Sequence, residues 1–188
     1  MKKVSFNIIF FLVIFFILYY GFIIYVGLST PGGKTYSNFL YSYLNIPDWL
    51  SMFVAKASTI VLKALGYNAY QKNAVNISIY KTVSVNIAWG CIGASVMFLW
   101  FAFIVAHKAK FMYKLKWIIA GIALIFIFNI SRIVFIALSY YYHWHYMLSF
   151  NAHATFNFIT YGIIILLMGF FVFKYNKLQR RQKNIASM

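Results

Sequence analysis

Four apolar runs, each about as long as a bilayer-crossing helix, constrain this chain more than any other feature. They span residues 6–28, 87–106, 117–140 and 154–173. A helix needs about 20 predominantly apolar residues to cross a ~30 Å hydrocarbon core at 1.5 Å rise per residue. With 64% hydrophobic and 22% aromatic side chains over 188 residues, the chain is neither an ordinary soluble domain nor a disordered one. It reads as a single integral membrane domain over 1–188. The expected fold is an all-α bundle of about four transmembrane helices, with an extracytoplasmic insert over 29–86 and a basic tail over 174–188.

The charge pattern gives a direction to these helices. Lys and Arg number 17 against one acid, Asp48, for a net charge of +16. Such an excess can signal nucleic-acid binding, but here it is spread around apolar runs. Lys2, Lys3, Lys108, Lys110, Lys114, Lys116, Lys174, Lys177, Arg180, Arg181 and Lys183 all lie in short flanking segments, the pattern of the positive-inside bias. With both termini cytoplasmic, these eleven fall inside, and residues 29–86 and 141–153 fall outside. The chain is therefore expected to cross a membrane several times, and its high Lys, Asn, Ile and Phe usage points to a prokaryotic plasma membrane. The lipid bilayer is the expected surrounding, the basic tail can lie against anionic headgroups, and no nucleic-acid partner is expected.

The insert has two parts. Residues 49–66 place Leu50, Phe53, Val54, Ala57, Ile60, Val61, Ala64 and Leu65 at helical spacing, with Lys56 and Lys63 opposite. Asp48 after Pro47 is the expected N-cap and Gly66 the expected stop. This amphipathic helix is expected to lie in the outer membrane interface rather than to span. Over 67–88, Val75, Ile77, Ile79, Val83, Val85 and Ile87 alternate with polar residues, and Asn73 and Lys81 sit near turns. That predicts a short β-hairpin or meander running into the second transmembrane helix.

Polar side chains inside membrane helices are costly and mark functional sites. Cys91 lies near the outer end of the second run, in Trp89-Gly90-Cys91-Ile92-Gly93. Arg132 lies inside the third, 15 residues past Trp117, or ~22 Å along the helix. His153 stands at the outer start of the fourth. Three helices thus bring a thiol, a guanidinium and an imidazole to a similar depth. A thiol is a good nucleophile once a base or cation lowers its pKa. Histidine can take its proton and return it to a leaving amine. Arginine can stabilise an oxyanion. Asn129, one turn below Arg132, suggests a polar pocket, and Gly90 and Gly93 allow close approach of a substrate backbone. The lone cysteine excludes an internal disulfide and a multi-thiolate metal site, and leaves thiol–disulfide exchange without a resolving partner. No metal site and no cofactor is expected. A non-enzymatic reading stays open: a small transporter or membrane assembly subunit, with Arg132 binding an anion or a partner helix.

These residues resemble a known family. Cys91-Ile92-Gly93, Asn129-x-x-Arg132-Ile133 and His153 look like the Cys, Arg and His motifs of exosortases and archaeosortases, in a minimal-core form. Leu65-Gly66-Tyr67 and Val83-x-Val85 upstream are similar too. The resemblance covers roughly residues 49–170. It implies a membrane-embedded cysteine protease or transpeptidase that cleaves C-terminal sorting signals of exported proteins. The implied partners are substrates carrying a short motif, a transmembrane helix and a basic end. Carried over, Cys91 is the nucleophile, Arg132 steadies the oxyanion or thiolate, His153 is the general acid/base, and Asn129 positions Arg132 or the substrate. His143 and His145, in the preceding loop, are the alternatives to His153.

Overall fold

The structure, a computed structural model, describes residues 7–31, 36–80, 82–144 and 152–186. Three helices are long and apolar enough to cross a membrane. They are α1 (Ile8–Ser29), α5 (Phe111–Tyr141) and the final helix α6 (Ala152–Ala186), whose apolar part runs Phe158–Arg180. Between them stand α2 (Asn38–Tyr43), α3 (Ile46–Ala64), three strands, and the shorter apolar helix α4 (Ala94–Ala106). The chain is a multi-pass, mostly helical membrane protein with a small sheet at one end.

The second apolar run does not form one long helix. Residues 87–93 leave the sheet, make a 3-10 turn over Trp89–Cys91, and reach Gly93, whose φ of +79° lies in the left-handed region. Side chains other than glycine cost roughly 1–2 kcal/mol there. Helix α4 begins only after this glycine, and its 13 residues reach ~20 Å.

Helix α3 differs from its sequence reading in two respects. Its N-cap is Asn45, not Asp48: the Asn45 side chain accepts from the Asp48 backbone N–H at 3.3 Å and donates to the Asp48 carboxylate at 2.7 Å. Pro47 starts the turn where no intrahelical N–H is needed, which moves the cap ahead of it. The stop is as expected. Gly66, at φ +88°, donates to Lys63 and Tyr67 donates to Leu62, a Schellman closure.

The second difference is the face that α3 buries. Ser51, Val54, Ala55, Ser58, Thr59 and Leu62 face the protein, while Trp49, Phe53, Ile60 and Leu65 of the apolar side are more than half exposed. Where lipid replaces water outside, apolar side chains gain nothing by turning inward, and small residues let helices approach closely. The buried face is therefore the small one, packed against Ile133, Val134, Ile136 and Ala137 of α5. Phe53 stands beside Phe126, and Tyr67 bonds Tyr142 through their hydroxyls at 2.8 Å. Helix α3 thus runs parallel to α5 along its second half.

Strands β1 (Ala69–Asn73), β2 (Asn76–Ile79) and β3 (Val83–Asn86) form an antiparallel meander in that order. Ile77 pairs with Gln71 on one side and Val85 on the other. The two-residue alternation is realised: Ile77, Ile79, Val85 and Ile87 enter the core shared with α3 and α5. Tyr67, Tyr80, Tyr141 and Tyr142 interleave where the sheet meets the end of α5.

A second core fills the opposite half of the bundle, among α4, α5 and α6. Fully buried Trp100 donates its indole N–H to the Trp117 carbonyl at 3.1 Å, and a Cβ on Gly121 would overlap the indole ring. Phe171 packs on Trp117, Phe103 and His107. Helices α4 and α6 both run antiparallel to α5. Gly93 lies against Asn129 and Trp100 against Gly121, while Trp117 meets Phe171 and Tyr113 meets Tyr175.

Candidate active site

Cys91 lies on the 3-10 turn between β3 and α4 rather than within a helix, and it is partly buried against the sheet core. The sequence reason is the pair Gly90 and Gly93, which break a run that is otherwise apolar enough for helix. The turn is closed locally: Cys91 N–H donates to the Ala88 carbonyl at 2.8 Å, and Ile92 donates to Trp89 at 3.3 Å. It is anchored from outside by α5. Asn129, buried in a membrane-length helix, donates its side-chain N–H to the Cys91 carbonyl at 2.7 Å. Gly93 keeps the approach open, because a Cβ there would come within 3.4 Å of the Asn129 amide oxygen.

Beside this turn is a cavity of about 110 Å³ lined by Gly90, Gly93, Asn129, Arg132 and, from α6, Thr160 and Tyr161. The glycines on either side of Cys91 and the two polar residues of α5 thus border one space. Asn129 and Arg132 are three positions apart and project from one helix face. Arg132 is half-buried there. Cys91 itself is not one of the residues lining this space; its turn borders it through Gly90 and Gly93. A cation facing such a space can support attack by a thiolate that reaches it and hold the charge that develops on a carbonyl oxygen.

Thr160 and Tyr161 were not among the residues singled out from sequence. One signal was available: Thr160 stands seven positions after His153, two helical turns, so the two positions share one side of α6. The backbone of α6 includes residue 153, but side chains 152–157 lie outside what the structure describes, as does His145 altogether. The register of α6 against α5, with Thr160 beside the Asn129–Arg132 cavity and Phe171 beside Trp117, carries position 153 ~10 Å further toward the sheet. His143 is described. It sits past the end of α5 at φ +57°, eleven residues beyond Arg132 and therefore about three turns away.

The family model described as transmembrane exosortase matches residues 5–173 of the chain. No curated protein and no solved structure matches significantly.

Proposed function

Since the chain belongs to the transmembrane exosortase family, we propose that it is a cysteine-type transpeptidase or protease acting at the outer face of a prokaryotic plasma membrane. The observation that carries this reading is the cavity between Gly90, Gly93, Asn129 and Arg132, which borders the turn holding the sequence's lone cysteine and whose Asn129 bonds the Cys91 carbonyl. The substrate is an exported protein with a C-terminal motif, a transmembrane helix and a basic end. Its tail lies in the bilayer and presents the scissile bond at the level of Cys91.

In this reading the Cys91 thiolate attacks the scissile carbonyl carbon, and Arg132 holds the oxyanion of the tetrahedral intermediate. The C–N bond breaks, a thioester forms on Sγ, and the leaving amine takes a proton from His153. An acceptor amine or water then attacks the thioester, His153 recovers a proton from it, and the thiolate leaves. Position 153 is favoured over His143 as the acid/base because it lies within about two turns of the cavity on the side of α6 that bears Thr160. Asn129 acts on the Cys91 carbonyl and so sets the turn that carries the nucleophile.

Cys91→Ala is expected to abolish cleavage of a co-expressed tailed protein while the variant still accumulates in the membrane. Continued cleavage would remove Cys91 as the nucleophile. Tolerance of Cys91→Ser together with intolerance of Arg132→Lys would instead favour a non-enzymatic anion or partner site.

A further inference from the structure

The hydrogen-bond parity of the sheet leaves one strand edge open next to Cys91. Ile87 N–H bonds the Val75 carbonyl at 2.8 Å, so Val83, Val85 and Ile87 direct their backbone groups toward β2. Ser84 and Asn86 then direct theirs away from it, and Ala88, extended at φ −71° and ψ 167°, follows them with its carbonyl already taken by the Cys91 N–H. All three are exposed, and among the described residues no strand lies beyond β3.

Exposed edges are usually blunted by charge, proline or a bulge. The β1 edge follows that rule, with Lys72 and a register shift between Gln71 and Asn73. The β3 edge carries none of these over Ser84–Asn86, and its pairing with β2 is regular. An unblocked edge that leads in five residues from Asn86 to Cys91 is suited to receiving another extended chain.

We propose that the β3 edge is the docking strand for the substrate polypeptide, which pairs with it in parallel through the residues preceding the scissile bond. This rests on the transpeptidase reading. The direction follows from the geometry of a tailed substrate. Strand β3 runs from the Tyr80 end of the sheet to the Cys91 turn. Residues after the scissile bond must continue into the bilayer along the bundle, away from the sheet. Residues before it therefore lie on the sheet side and run toward Cys91 in the same sense as β3. The bonds are to backbone, so the edge selects for an extended segment free of proline at alternate positions.

The test measures cleavage of the tailed protein against its concentration. Ser84→Pro and Asn86→Pro remove the outward N–H groups, a change edge strands accommodate. Gln71→Pro on the opposite edge is the control. The β3 variants are expected to raise KM at least fivefold with kcat within twofold, and the control to leave KM within twofold. Should the proline variants fail to fold, the wild-type enzyme is inhibited instead with a peptide of the segment preceding the scissile bond. That peptide is N-methylated at odd or at even positions. One series is expected to lose at least fivefold in inhibition and the other to keep it. Unchanged KM in both folded β3 variants, or equal inhibition by the two series, overturns the docking strand while leaving the nucleophile intact. Cleavage persisting in Cys91→Ala overturns the underlying reading instead.

Discussion

Asn129 illustrates how much a single side chain decides here. Its amide N–H at 2.7 Å from the Cys91 carbonyl joins α5 to the turn that bears the thiol. Asn129→Ala leaves that carbonyl without its partner, at a cost of ~1–3 kcal/mol where water is excluded. Cleavage is expected to fall at least tenfold, with a smaller loss of thermal midpoint. Asn129→Asp is expected to be no better than Ala, since a carboxylate offers the carbonyl an acceptor instead of a donor. Activity near wild type in Asp would show that the donated bond is dispensable. At the other end of the bundle, His107 is buried at the C-terminus of α4, its Nδ1 at 2.8 Å from the Phe103 carbonyl. Burial holds its imidazole below the usual value, against the opposing pull of that carbonyl, and nearby Lys114 adds to the lowering. The folded chain thus takes up a proton on His107 less readily than the unfolded chain, which protonates near pH 6.5. Below that pH the unfolded state binds more protons, so stability is full above about 6.5 and falls as the pH drops. The thermal midpoint in detergent is expected to decline from pH 7 to pH 5, and His107→Gln to flatten the decline.

At the scale of elements, the contact between α4 and α5 depends on a missing side chain. Gly121 leaves room for the Trp100 indole, which is fully buried and tied to the Trp117 carbonyl. A methyl group at 121 must displace a ring that has nowhere to go. Overpacking of this kind costs ~1–3 kcal/mol. Gly121→Ala is therefore expected to lower the midpoint, and Gly162→Ala, where a Cβ meets open space, to leave it unchanged. Equal midpoints for the two would show that the α4–α5 contact relaxes freely. Helix α3 makes the complementary point. Its apolar stripe was visible as a period of 3.6, but periodicity does not say what stands outside. Most of the stripe is the outer side, Val54 excepted, and Ser51, Val54, Ala55, Ser58 and Leu62 are the contact with the protein.

For the whole molecule, the proposed orientation of the bundle rests on the placement of charge. The basic segments around Lys108–Lys116 and Lys174–Lys183 flank one end of α4, α5 and α6, opposite the sheet. A reporter active only outside the cytoplasm is expected to be active when inserted after Ala74 and inactive after residue 186. The reverse result would place Cys91 on the cytoplasmic side and end the proposed role in processing exported proteins.

Sequence alone determined the membrane class, because runs of about 20 apolar side chains partition into hydrocarbon and, as helices, bond their own backbone without water. It also determined the alternation of β2 and β3 and the stop at Gly66, since both depend on neighbours in the chain. Helix rise alone gave the expectation that Cys91, Arg132 and His153 share a depth; of these the structure puts Arg132 on the cavity beside the Cys91 turn, while side chain 153 lies outside the described residues. Tertiary structure decided the rest. Asn45 rather than Asp48 caps α3, a choice made by where the chain enters the helix. The second apolar run gives way to a turn at Gly93, because a left-handed glycine lets Asn129 hold the cysteine backbone. Thr160 and Tyr161 join the cavity because α6 lies antiparallel to α5 in one register. None of these is a property of a local pattern: each depends on which surface of one helix meets another, and in a lipid surrounding hydrophobicity does not specify that surface.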